Sequence, residues 1–348
     1  MRLLNFTARP MPADMTPMPA NHSRNDLMIA SLTSNSLKCL VIVALATLGI
    51  ASSGAAEPSS VSLRDGDRVI ATYHAETQVA PNPDEPWFNR SGFIHPFCTP
   101  SGIAVTCDFP IEHEHQHGLM FAWTSSHING RPVDFWNAAE LEARVEHAEL
   151  LMAEPSVIRA KLRHIELPDD SNGEEKLALD ETWQIKRVDH PTMNVMDLVS
   201  EQHNVMNVPL TIKEYHYGAM CVRGPNAWMD GKSTITDDRH QDREQGNHSR
   251  PKYVVMYGEI DGKPCGLAAI SHSGNFRSPQ PVRVHPNDPY FCFAPMVLGD
   301  FEIEAGSTYT SAFRFAAFDG PPDHEALQAL ATQFAELPFD QLQIKPLN

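Results

Sequence analysis

Short runs rich in Val, Ile, Phe, Tyr and Thr, cut at close intervals by Gly, Pro, Asn and Asp, fill residues 65 to 318. They constrain the fold more than any other feature, because β-branched and aromatic side chains suit a pleated, half-buried surface and the punctuating residues suit turns. A first strand is expected over 69–73, after the turn Asp65-Gly66-Asp67. Others are expected over 102–107, 118–124, 157–165, 179–187, 192–198, 208–214, 290–295 and 308–318. Residues 252–260 and 265–271 flank Asp261-Gly262, a two-residue hairpin signal. Helix is scarce. Residues 137–150 have helical composition but poor apolar spacing, so helix and non-helix both stay open there. Residues 323–337 predict a helix, with Asp323 as cap and Leu327, Leu330, Ala331 and Phe334 on one stripe. The charged segment 233–250 lacks an apolar face and is expected to be a surface loop. The resulting expectation is an all-β, mainly antiparallel sandwich or supersandwich with a short C-terminal helix.

The N-terminal region reads differently. The apolar run CLVIVALATLGIA over 39–51 follows Lys38 and precedes Gly54-Ala55-Ala56. A basic residue, a short apolar stretch and small residues are the grammar of a secretory signal, and the run is shorter than the roughly 20 residues of a spanning helix. Residues 1–56 are therefore read as a signal with an extended N-terminus, Met28 being an alternative start, and 57–348 as one large domain. A periplasmic or secreted location follows, with no membrane attachment after cleavage. The formal net charge of −17 opposes nucleic acid and anionic lipid as partners and leaves a small molecule or oligosaccharide as the expected ligand. Cysteine spacing supports no zinc-thiolate site; Cys98 and Cys107 are the first candidates for a disulfide.

Four polar constellations could carry chemistry. In Glu112-His113-Glu114-His115-Gln116-His117-Gly118, alternate residues are histidine. On a strand His113, His115 and His117 would share a face. They could hold a divalent metal, line a polyol site, or form a solvated strand end. The first use would make the chain a metal-dependent oxidoreductase. Neighbouring same-face positions lie roughly 7 Å apart, so convergence on one ion needs a bend. In the second constellation Glu214 and His216 would share a face and supply base and acid, with Arg223 and Trp228 following; an ordinary β edge is the alternative. In the third, His272, Asn275 and Arg277 form either a ligand cradle or a structural loop. In the fourth, Arg90 and His95 precede a strand and could reach the same pocket, though a turn before a strand is the simpler account of them.

The succession His95-Pro96-Phe97, Thr99-Pro100-Ser101-Gly102, Asp108-Phe109-Pro110, His113-Glu114-His115, Asn129-Gly130 and Asp134-Phe135-Trp136 resembles a family of secreted bacterial proteins labelled "methane oxygenase PmoA-like". His272, Asn275, Arg277, Pro279, Gly218 and Arg223 extend the resemblance. Gln116 stands where that family's motif has a histidine, so His113 and His115 are the members carried over. The oxygenase activity is not carried over, since the membrane copper subunit of that name is a helical bundle and this chain has a single long apolar run. The chain is also similar, more loosely, to galactose mutarotase-like supersandwich proteins, through Gly218 to Arg223 and the Pro289 to Pro295 pattern. That resemblance implies a sugar cleft with His113, His115 and His272, Glu214 as base and Arg223 as an oxygen-binding cation. Together these readings give catalytic candidates His113, His115, Glu214 and His272. Binding candidates are His95, His117, Arg223, Asn275 and Arg277. The expected function is carbohydrate binding or His/Glu acid–base turnover of the epimerase, lyase or hydrolase type.

Overall fold

A computed structural model describes residues 57–169 and 173–345. The signal assignment over 1–56 lies outside the described residues. Nineteen strands are described, in three sheets of seven, eight and four, and every strand pairing is antiparallel. The all-β class and the short C-terminal helix expected from sequence are both found. No helix among the described residues is long and apolar enough to cross a membrane.

Alternation along the strands builds the core. In the central strand Lys263–Ser271, Leu267 and Ala269 join Phe313, Phe315 and Ala317 of Thr308–Asp319 in the main core. The intervening Ala268 and Ile270 join Ala312, Ala316 and Phe318 in a second cluster. One face of the eight-stranded sheet therefore packs on the seven-stranded sheet, as the stacked rings of Phe293 and Phe313 show at 5.4 Å. The other face is covered by the helix His324–Glu336. Asp323 caps that helix by accepting from Ala326 N, and Leu327, Leu330, Ala331 and Phe334 are buried. The hairpin turn at Asp261-Gly262 is found with φ of 53° and 71°, and Ile260 pairs Lys263 across it.

Two local expectations fail, and one reading left open is decided. Residues 143–154 form the edge strand Ala143–Glu154, paired with Val157–Glu166, so sheet pairing overrides helical composition. Only the 3₁₀ turn Ala138–Glu140 is helical there. Residues 102–107 form no strand; a single bridge joins Cys98 and Ala104, and Thr106 Oγ1 takes the Phe97 N–H. Within 233–250, Ser233–Asp237 is an edge strand beside Tyr253–Ile260, and the buried Asp237 carboxylate accepts from Arg239 N and Gln241 N. All five cysteines from Cys98 to Cys292 are free thiols, so Cys98 and Cys107 form no disulfide.

A buried polar cluster also sits between the two large sheets. Glu181, fully buried, accepts from His164 Nε2 (2.7 Å), Trp183 Nε1 (2.6 Å), Ser200 Oγ (2.5 Å) and Gln202 Nε2 (3.0 Å). Its hydrogen-bonding capacity is met internally, which makes it architecture.

Candidate functional site

The outer face of the seven-stranded sheet carries a different population from its inner face. In Ala219–Arg223 and Tyr290–Phe293, Val222 pairs Phe291 and Met220 pairs Phe293, all in the core. The alternate positions are Arg223 opposite Tyr290 and Cys221 opposite Cys292, with Arg283 of the edge strand Val282–Val284 beside Cys292. Strand alternation therefore sets Arg223, Tyr290 and Arg283 on one face. A cavity of about 210 Å³ opens there, lined by His113, His115, Gln116, Trp136, Asn137, His216, Tyr217, Arg283, His285 and Tyr290.

The histidine row is not a strand. Residues 111–118 run through turns, with Glu112 at φ 67° and one bridge between Asp108 and His117. Gly118 ends the segment at φ 41°, and a Cβ there would lie 2.1 Å from the Ile94 carbonyl oxygen, so only glycine lets the loop press onto the sheet. The bend separates the three imidazoles. His113 and His115 face the cavity with ring centroids 5.6 Å apart. His117 turns inward, bonds Asp108 Oδ1 through Nδ1 at 2.6 Å, and packs on Phe93 and Phe109. The expected metal set His113, His115 and His117 is therefore not assembled.

His113 instead meets residues from the turn after Val282–Val284. Asp288 Oδ2 lies 3.0 Å from His113 Nε2, 3.6 Å from His285 Nδ1 and 3.5 Å from Arg223 Nη1. His285 Nδ1 accepts the Asp288 N–H at 2.9 Å, which places the ring proton of the neutral imidazole on Nε2. Arg223 is fully buried, donates to Gln116 Oε1 at 3.1 Å, and leaves Nε without a partner. The opposite wall is aromatic. Tyr217 and Trp136 approach at 5.5 Å between centroids, Trp136 and Tyr290 at 6.0 Å. Tyr217 OH donates to Asn137 Oδ1, whose amide is itself fixed by Asp134. Gly218, at φ 134°, is crowded by Met296 and Thr124 and holds this wall against the sheet.

Burial governs the electrostatics. Desolvation, with His113 and His117 adding smaller effects, pushes His115 down to about 3. His285 and His216 are also lowered, by desolvation first and then by nearby charges that include Arg283. At neutral pH these three imidazoles are uncharged, each offering one N–H donor and one acceptor. Burial raises the Tyr217 and Tyr290 phenols, so both stay protonated. Among groups of three or more His, Cys, Asp or Glu side chains in the described residues, His113, His285 and Asp288 bring one ligand atom each within 4.8 Å of the others.

The remaining sequence candidates are elsewhere. Glu214 is exposed on an irregular segment, its backbone N–H bonded to Asp300, and it does not line the cavity; His216 of the same segment does. His272 lies under the C-terminal helix, donating from Nε2 to Leu337 O and accepting the Gly274 N–H at Nδ1. Asn275 exchanges hydrogen bonds with Ala312 backbone N–H and C=O. Arg277 donates to the carbonyls of Pro295, Gly299 and Asp300. His95 bonds Thr106 through Nδ1, and Arg90 donates to Phe121 O; neither lines this cavity. Sequence reasoning missed Trp136, Asn137, Tyr217, Arg283, His285, Asp288 and Tyr290 as site residues. The signal for three of them is His285-Pro286-Asn287-Asp288-Pro289-Tyr290, a turn-rich segment carrying an imidazole and a carboxylate three residues apart.

A family model described as "Family of unknown function (DUF6807)" matches residues 60–332. That description names no activity, and the methane oxygenase label gains no support from it. No curated protein matches the chain. The fold is similar to the X-ray structure of a galactose mutarotase related enzyme from Lactobacillus acidophilus, at 7% identity and a TM-score of 0.36, covering 75% of this chain and 97% of that one.

Proposed function

This chain belongs to the DUF6807 family, and we propose that it binds a carbohydrate in the Trp136–Tyr217–Tyr290 cavity and transfers a proton there. One observation carries the proposal: an aromatic wall faces a rim of imidazoles that have spare donors and acceptors. Sugars present apolar C–H faces and a ring of hydroxyls, so such a site suits them on both sides. The cavity, at about 210 Å³, suits one ring rather than a long chain.

Roles divide by environment. His115, held neutral and pushed to about 3, is too weak a base for neutral pH and serves as a hydrogen-bond donor to an oxygen gaining charge. His113, oriented by Asp288 at 3.0 Å, is the proton acceptor. Glu214 takes no part in this scheme. We place the protein outside the cytoplasm on the strength of residues 38–56 alone. The test is saturation-transfer NMR with a panel of mono- and disaccharides. At least one sugar should bind wild type and lose most of its signal with His115→Ala. No binding by any sugar overturns the proposal.

A second reading rests on the convergence of His113, His285 and Asp288. Two imidazoles and a carboxylate could hold a divalent metal. Arg223 already meets the same Asp288 oxygen, and its charge opposes a cation there. Titration calorimetry with zinc and manganese decides: binding abolished by Asp288→Asn supports a metal, and no heat excludes tight binding of those two ions.

A further inference from the structure

The charge of the cavity is opposite in sign to that of the molecule around it. The chain carries a formal net charge of −17, yet among the described residues no Asp or Glu lines the cavity. Two guanidinium groups serve it from the same sheet face. Arg223 lies behind Gln116 and is compensated by Asp288 at 3.5 Å. Arg283 lines the cavity directly. Its one side-chain hydrogen bond runs from Nη1 to Asn247 Oδ1 at 3.1 Å, and among the described residues no carboxylate pairs with it. Arg223 and Asp288 cancel, His115, His216 and His285 are neutral at pH 7, and Arg283 is left over.

A half-buried guanidinium without a counterion is unusual in a protein with this surplus of acid, because a nearby Asp or Glu would gain from pairing with it. Uncompensated positive charge in a partly desolvated cavity attracts an anion more strongly than the same charge in water. A guanidinium fork matches carboxylate and phosphate oxygens in two-point contact.

Resting on the carbohydrate proposal, we infer that the ligand is an acidic sugar, its anionic group held by Arg283 while its ring stacks on the aromatic wall. A carboxylate (a uronic acid) and a phosphate ester share this chemistry. A neutral sugar can take hydrogen bonds from Arg283 but leaves its charge uncompensated.

Calorimetry with glucose, glucuronate and glucose 6-phosphate at low and high salt, using the whole chain, tests this. Glucuronate or the phosphate ester should bind at least about 10-fold more tightly than glucose, with an advantage that shrinks in high salt. Arg283→Gln should abolish the advantage, so that neither anion binds that variant more tightly than glucose does; Arg283→Lys should keep the charge preference in part. The better of the two anions identifies the group. Equal binding of glucose and both anions, unchanged in Arg283→Gln, overturns the acidic-sugar inference and leaves the carbohydrate proposal standing. Binding by none of the three, with none in the wider sugar panel, overturns both.

Discussion

Two polar clusters of this protein look alike in sequence and differ in structure. The loop His272-Ser273-Gly274-Asn275-Phe276-Arg277 and the cavity set of His113, His115, Arg283 and His285 are each rich in imidazole and guanidinium groups. In the loop, His272 is bonded at both ring nitrogens, Asn275 mimics a strand partner for Ala312, and Arg277 binds three carbonyls while lying over the rings of Phe276 and Phe301. Those side chains complete the backbone hydrogen bonding of an irregular segment. At the cavity, His115 packs against His113 and Phe88 by its ring, and Arg283 keeps one neutral partner. A polar side chain already saturated by main chain has little left to offer a ligand; one with spare donors does.

Stability and binding should therefore separate between the two regions. The largest stability loss is expected beneath the C-terminal helix, where Arg314 and Asp197 pair in register at 2.7 and 2.9 Å with Phe334 over the guanidinium. Asp197→Ala strands that charge and should cost about 3–5 kcal/mol in denaturant unfolding. Asn275→Ala leaves Ala312 N–H and C=O short of partners and should cost about 2 kcal/mol, with sugar affinity unchanged once the protein is folded. A loss of affinity without loss of stability in Asn275→Ala would place function in the loop and break the contrast. In the cavity, His115→Ala should shift stability by under about 1 kcal/mol while weakening sugar binding by about 10-fold or more.

Acid gives the smallest and most diffuse effect. Burial holds His115 at about 3 and His95 at about 4, below the ordinary 6.5. Between those values and 6.5 the unfolded chain binds protons that the folded one refuses, so stability rises with pH across that window. Their contribution is complete above pH 6.5 and lost as pH falls toward 4. Melting temperature measured from pH 7 to 4.5 should fall, and His95→Gln should flatten the slope. An unchanged slope in that variant would remove His95 from the acid response.

The β class, the C-terminal helix with its Asp323 cap and the Asp261-Gly262 hairpin were legible in the chain, because each rests on neighbours within a few residues: alternation, capping, turn propensity. The sequence also singled out His113 and His115, which the fold brings to one cavity. What local pattern could not supply was partnership. Residues 137–150 have helical composition, yet Ala143–Glu154 pairs as a strand because Val157–Glu166 lies alongside. His117 reads like its two neighbours and is spent on Asp108. Asp288 and Arg283 come from a turn and an edge strand about 170 residues beyond the histidines they face. Composition and periodicity record what a segment can become; which polar atoms remain unpaired after folding depends on contacts between distant segments, and that is decided only when the sheets close.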